Sequence, residues 1–176
     1  MSPSDSEDVI LRESRRTLLA RRLLLHGVRT QFITRLTGLT DDRLRTLRKR
    51  LMISGKTRLR GHPRDALTLF LGTSLARAEA AAIAALLWLF EIPAGPTASS
   101  ISKGVPFGER LCETYEAYCV CYPRTKVTLE EMIELRKKLV RGDRMRLGKC
   151  SDCKCLLLVD RYDASLECLH CGALPG

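Results

Sequence analysis

Apolar positions along this chain fall mainly at helical intervals. From Val9 to about His26, Leu11, Leu18 and Leu25 recur every seven residues with Ile10 and Leu19 beside them, while Arg12, Arg15, Arg16, Arg21 and Arg22 occupy other faces. That spacing predicts an amphipathic helix, preceded by a frayed stretch over residues 1–8. Val28 to Leu51 reads as helix, tight turn, helix. Phe32, Ile33 and Leu36 form the first stripe, Gly38 supplies a left-handed turn, Leu39 packs beneath it, and Thr40 caps a second helix whose stripe is Leu44, Leu47 and Leu51.

Asp65 to Phe90 predicts a helix bent near Gly72. Its positions Leu75, Ala78, Ala82, Leu86 and Phe90, with Ile83, Leu87 and Trp88 adjacent, leave only Arg77 and Glu79 charged in the later half, so the helix is expected to be enclosed by core or by a subunit. A Gly/Pro/Ser linker covers 93–106. Phe107 to Tyr122 predicts a helix with Leu111, Tyr115, Tyr118 and Tyr122 as its stripe, and Cys112, Cys119 and Cys121 as buried reduced thiols. A Thr128-x-x-Glu131 capping box opens one more helix, with Met132, Leu135 and Leu139 facing inward and Arg136, Lys137, Lys138 and Arg141 towards its negative end.

The pattern changes at the C-terminal end, where Cys150-x-x-Cys153 and Cys168-x-x-Cys171 bracket a short apolar run. A two-residue gap lets both thiolates of a tight turn face one ion, and a second such turn completes a tetrahedron, the geometry of structural Zn²⁺. One Zn²⁺ per chain on Cys150, Cys153, Cys168 and Cys171 is the expectation. Four thiolates leave no position for water or substrate, which points away from a catalytic metal. Cys155 and His170 stand close enough in sequence to replace a ligand, although the symmetric pairs give the better geometry. The fold class is therefore mainly α: a helical domain containing a helix-turn-helix-like segment, then a small four-cysteine zinc unit. The divisions are a basic N-terminal region over 1–64, a helical core or oligomerisation region over 65–144, and the zinc unit over 145–176.

Charge adds a direction to that plan. Residues 1–64 hold 16 of the 30 basic side chains and 6 of the 20 acidic ones, and the remainder is balanced, so the whole excess of +10 lies in the first third. A basic block of this kind meets a polyanion or serves as a solvated face. Aromatic residues at 5% are too few for a single-strand stacking platform, which favours duplex DNA. Turning the second helix about its stripe aims Asp42, Arg45, Thr46 and Lys49 away from the core with Arg43 and Arg50 at the flanks, Asp41 and Asp42 reading as caps and not as base readers. Arg45 is the candidate guanine reader, and Lys49 and Arg50 the candidate phosphate contacts. Lys56, Arg58 and Arg60, in the basic loop Ser54 to Arg64, are further candidates for tracking the backbone. A pure packing role for the two helices is the competing reading.

Other classes fit less well. Gly55-Lys56-Thr57 matches the end of a nucleotide-binding loop, but the glycine required ahead of it is replaced by Arg50. His26, His62 and His170 are scattered, with no acid/base or nucleophile constellation, so no enzymatic activity is expected. The opening Met-Ser-Pro-Ser-Asp-Ser-Glu-Asp is unlike a secretory leader, and Ala80 to Phe90 is too short to span a bilayer. The expectation is a cytoplasmic protein with no membrane partner, whose eight cysteines serve metal and reduced core rather than disulfides.

The order of parts resembles a known family. The segment Gly27-x-Arg29-x-Gln31 running into Leu39-Thr40-x-x-Arg43-Leu44, a basic loop, a long apolar helix and the paired cysteines at 150, 153, 168 and 171 are similar to the FlhC family of flagellar transcriptional activator subunits, over most of residues 10–172. The resemblance implies a largely helical protein that joins FlhD-type subunits in a heterohexamer, binds promoter DNA and activates motility genes with RNA polymerase. It also implies zinc on Cys150, Cys153, Cys168 and Cys171, and auxiliary phosphate contacts from Lys149, Lys154 and Arg161. The middle helix is richer in alanine than the family pattern, and self-association as a homodimer is the alternative to an FlhD-type partner. A zinc-stabilised scaffold that binds only protein is the competing function.

Overall fold

Seven helices and two short strands form among the described residues, which in this computed structural model are 3–52, 65–92, 94, 104–142, 144–163 and 168–172. In chain order they are α1 (Pro3–Leu25), α2 (Thr30–Thr37), α3 (Asp41–Arg50), α4 (Ala66–Leu71), α5 (Ser74–Leu89), α6 (Val105–Cys121), α7 (Leu129–Arg141), β1 (Met145–Lys149) and β2 (Leu156–Asp160). Two compact units result. The first holds α1, α2, α3 and α6 as far as Glu113; the second holds α4, α5, α6 from Thr114, α7 and the strands.

In the first unit, α1 begins at Pro3 instead of fraying to Val9. The leucine stripe is not where the seven-residue interval put it. Leu11, Leu18 and Leu25 are 62%, 60% and 60% exposed and Ile10 is 68% exposed, whereas Leu19, Ala20, Leu23 and Leu24 are buried. The buried set has the i, i+1, i+4, i+5 spacing of one broad helix face. Close approach fixes that face. A Cβ on Gly108 of α6 would lie 2.6 Å from Leu19 Cδ2 and 3.2 Å from Leu36 Cδ1, so the absence of a side chain there lets α6 settle onto Leu19 and Leu36.

The α2–α3 segment forms as its capping residues dictate. Gly38 takes φ 71° and its N–H donates to the Thr34 carbonyl at 2.8 Å. The Thr40 side chain accepts from the Arg43 N–H at 3.5 Å, starting α3. Ile33, Leu36, Leu39 and Leu44 are buried, with Phe32, Leu47 and Leu51 half-buried around them. Thr37 occupies an apolar position, yet its hydroxyl donates to the Ile33 carbonyl at 2.8 Å and accepts from the Leu39 N–H at 3.2 Å, so its burial leaves no polar group unsatisfied.

In the second unit the expected single helix over 65–90 is two, parted at Gly72–Thr73. Thr73 accepts from the Ala76 N–H at 3.1 Å and so begins α5. Within the chain, α5 is enclosed on one face only. Ala80, Ala81, Ile83, Ala84 and Leu87 are buried, but Trp88 is 78% exposed and Leu75 and Leu89 are exposed with it. The helix turns both of its charges inward because each finds partners there. Arg77 is buried and donates to the Leu71 carbonyl at 3.2 Å and the Asp163 carbonyl at 3.5 Å. Glu79 accepts from the Tyr118 hydroxyl and, at 3.0 Å, from Thr125. Apolar side chains are left to cover the outer face.

Leu111 and Tyr118 of α6 are buried, Tyr115 is half-buried with its hydroxyl donating to the Val127 carbonyl at 3.1 Å, and Tyr122 is exposed. Of the three thiols expected in the core, Cys112 is buried and Cys119 half-buried, but Cys121 is exposed because it ends the helix. Thr128 and Glu131 form both halves of the capping box on α7, and Met132, Leu135 and Leu139 are buried. Arg136 is buried with them, and desolvation lowers its pKa.

Candidate metal centre

β1 and β2 pair antiparallel, with Met145 opposite Asp160 and Lys149 opposite Leu156. The segment joining them is Cys150 to Cys155. It closes on itself through Cys150 N–H to the Cys155 carbonyl at 2.9 Å and Lys154 N–H to the Cys150 carbonyl at 3.2 Å, with Lys154 left-handed at φ 60°. The second cysteine turn ends similarly, Gly172 taking φ 78° and donating to the Cys168 carbonyl at 2.8 Å. Alternation along β2 puts Leu157 and Val159 on the cysteine side, where they form a small apolar core with Cys150 and Cys168.

The ligand sulfurs of Cys150, Cys153, Cys168 and Cys171 all lie within 4.8 Å of one another. Cys150 and Cys171 are 3.4 Å apart at sulfur and Cys153 and Cys168 3.7 Å. A tetrahedron built on Zn–S bonds of ~2.3 Å has an edge of about 3.8 Å, so the cluster is the size an ion of this kind requires. The four expected ligands are therefore brought together and can hold a metal. His170 is exposed and outside the cluster. Cys155 is not among the four, but its sulfur is 3.2 Å from that of Cys153 and 3.3 Å from that of Cys168.

Backbone donors aim at the sulfurs. The N–H groups of Cys153 and Asp152 lower the pKa of Cys150, and those of Cys171 and His170 help hold Cys168 down at about 6. Cys153 receives the Cys155 N–H, which alone would lower it, yet its sulfur contact with Cys155 and its burial push it up to about 11. Cys155 gains from Cys153 but is raised on balance by Cys168 and by desolvation. Neighbouring thiols cannot all ionise together without a cation between them. A divalent ion removes that conflict and releases protons as it binds.

Sequence patterning missed the clamp at the base of the hairpin. Asp160 is buried and accepts from Arg144 Nε at 3.1 and 3.0 Å, from Arg144 Nη2 at 2.9 Å and from the Tyr162 N–H at 3.0 Å. A lone Asp closing the run Leu156-Leu-Leu-Val-Asp was the available signal. Hydrogen bonding from Arg144 lowers the Asp160 pKa from its ordinary value against the cost of burial. A carboxylate with a depressed folded pKa contributes stability above its unfolded pKa and loses it as pH falls through the folded one. Denaturant unfolding from pH 6 to 2 should show the wild-type protein losing stability relative to Asp160→Asn below about pH 4. Parallel curves would mean that the pair does not hold the hairpin.

The candidate DNA residues on α3 are exposed: Arg43, Arg45, Thr46, Lys49 and Arg50. Lys56, Arg58 and Arg60 lie outside the described residues. Arg43 is ion-paired with Glu13 of α1, and Arg45 with Asp42 at 2.9 Å. Thr46 donates to the Asp42 carbonyl at 3.0 Å. Two α1 arginines are likewise engaged within the unit, Arg15 forking onto Glu109 at 2.5 and 3.2 Å and Arg22 meeting Glu113 at 3.9 Å. Lys149, Lys154 and Arg161 are exposed on the metal hairpin. No helix among the described residues is long and apolar enough to cross a membrane. A scan against protein-family models finds no match, and no curated protein sequence matches the chain.

Proposed function

We propose that this chain is a zinc-stabilised DNA-binding regulatory protein. The supporting observation is α3: a capped helix set over the buried Ile33, Leu36, Leu39 and Leu44, with five polar or basic side chains from Arg43 to Arg50 exposed to solvent. The four-sulfur cluster supplies the metal half of the reading, and zinc is the ion that a closed four-thiolate tetrahedron suits.

Within that class, the resemblance of the chain to the FlhC family makes it a subunit of a flagellar transcriptional activator, acting on promoter DNA in the cytoplasm with FlhD-type subunits and RNA polymerase. The apolar side chains exposed on α1 and α5, among them Leu18, Leu25, Leu75 and Trp88, favour a protein partner, either an FlhD-type subunit or a second copy of the chain. They equally support the second reading, a zinc-stabilised scaffold or homo-oligomeric regulator.

Fluorescence anisotropy on promoter and scrambled duplexes separates the readings. The DNA-binding reading expects preference for the promoter and an affinity falling steeply between about 50 and 200 mM salt as counterions are released. Salt-independent behaviour with no preference, alone or with an FlhD-type subunit, leaves the scaffold. Native mass spectrometry of the same samples reports zinc and subunit number.

A further inference from the structure

The metal cluster holds one more thiol than a tetrahedral ion needs. Cys155 is half-buried, and its sulfur stands 3.2 Å from Cys153 and 3.3 Å from Cys168, while those two are 3.7 Å from each other. Three sulfurs therefore make a nearly equilateral triangle, with Cys155 placed over the edge that joins the two cysteine turns. A spectator cysteine at the end of the connecting segment would be free to face solvent. This one is turned into the cluster and packed against the Cys150, Leu157, Val159 and Cys168 core.

Resting on the zinc reading above, we infer that Cys155 is a fifth zinc-ligating thiolate that exchanges with Cys153. The choice of Cys153 over Cys168 follows from connectivity. If Cys168 left the ion, the second turn would hold it through Cys171 alone. When Cys153 leaves, the first turn still supplies two ligands, Cys150 and Cys155. The Cys150 N–H to Cys155 carbonyl bond at 2.9 Å already keeps that pair together. The Cys155 N–H donates to the Cys153 sulfur, so the two thiols share one short stretch of backbone and the swap calls for only local rearrangement. The exchange keeps four thiolates on the ion at each end, and a thiol proton moves from the incoming sulfur to the outgoing one.

Zinc content and cobalt spectra of the full-length chain test this. Wild type, Cys155→Ser and Cys153→Ser should each bind one zinc, and the double variant Cys153→Ser/Cys155→Ser none. With Co²⁺ as probe, sulfur-to-metal charge-transfer absorption in Cys153→Ser should match wild type. With water in the fourth place it would fall by about a quarter, one ligand of four. Zinc should also pass to a competing chelator faster from Cys155→Ser than from wild type, because no spare thiolate then refills the place that Cys153 vacates. A Cys153→Ser protein that retains its helical circular dichroism but holds no metal, or shows the three-thiolate spectrum, overturns the inference. So does a double variant that still binds zinc. A wild-type chain without zinc is a different result, failing the metal reading itself.

Discussion

Stripping the metal with a chelator should melt the β1–β2 hairpin and both cysteine turns while leaving α1, α2 and α3 helical. Two strands of five residues are marginal by themselves in water. The apolar core beneath the sulfurs consists of Cys150, Leu157, Val159 and Cys168, too few side chains to hold two turns closed. Structural zinc in small four-ligand units binds with about 10–16 kcal/mol at neutral pH, and where no site exists in the unfolded chain this is folding free energy. Without an ion the closely spaced sulfurs lose the cation that lets them ionise together. Hydrogen exchange followed by mass spectrometry would show the effect as loss of protection over 145–160, with protection of 19–44 unchanged. Chelation that leaves 145–160 protected would show that Arg144–Asp160 and the packing of β2 suffice, and that the metal is not structural.

The second large effect is expected on α3. Arg45→Ala should reduce the difference between promoter and scrambled duplex by about 1–3 kcal/mol, the value of a bidentate guanine contact. Lys49→Ala should weaken both duplexes alike and reduce the salt slope by about 1. The Arg45–Asp42 pair does not stand in the way. Both side chains are well exposed, and such pairs are worth about 0.2–1 kcal/mol, less than the contact that would replace them. Arg43 is held by Glu13 from another helix, so Glu13→Gln should strengthen DNA binding in low salt if Arg43 takes part. Identical specificity in wild type and Arg45→Ala would remove α3 from the role of recognition helix.

The parts of this fold that the sequence made legible are those set by neighbours along the chain. Gly38 and Thr40 fix the α2–α3 turn through their own hydrogen bonds, Thr128 and Glu131 open α7, and two Cys-x-x-Cys turns bring four sulfurs together. Where burial depends on distant partners, local spacing misled. Leu11, Leu18 and Leu25 keep a perfect seven-residue interval yet face outward, because the absent side chain of Gly108, ninety residues away, selects the Leu19 face instead. The sequence offers no partner for Arg77 and Glu79, the two charges of α5, yet carbonyls of Leu71 and Asp163 and hydroxyls of Tyr118 and Thr125 draw them inward. The role of Asp160 was equally invisible, since its partner Arg144 is met only across the hairpin.

The position of Cys121 at the exposed end of α6 has a practical use. It lies in a different part of the chain from the sulfur cluster and belongs to no metal turn. A maleimide dye applied to metal-loaded protein will find it far ahead of buried Cys112 and of thiolates already committed to an ion. The same chain therefore carries its own attachment point for single-molecule work. Dye taken up beyond that of the metal-loaded protein reports the chains that have lost their ion.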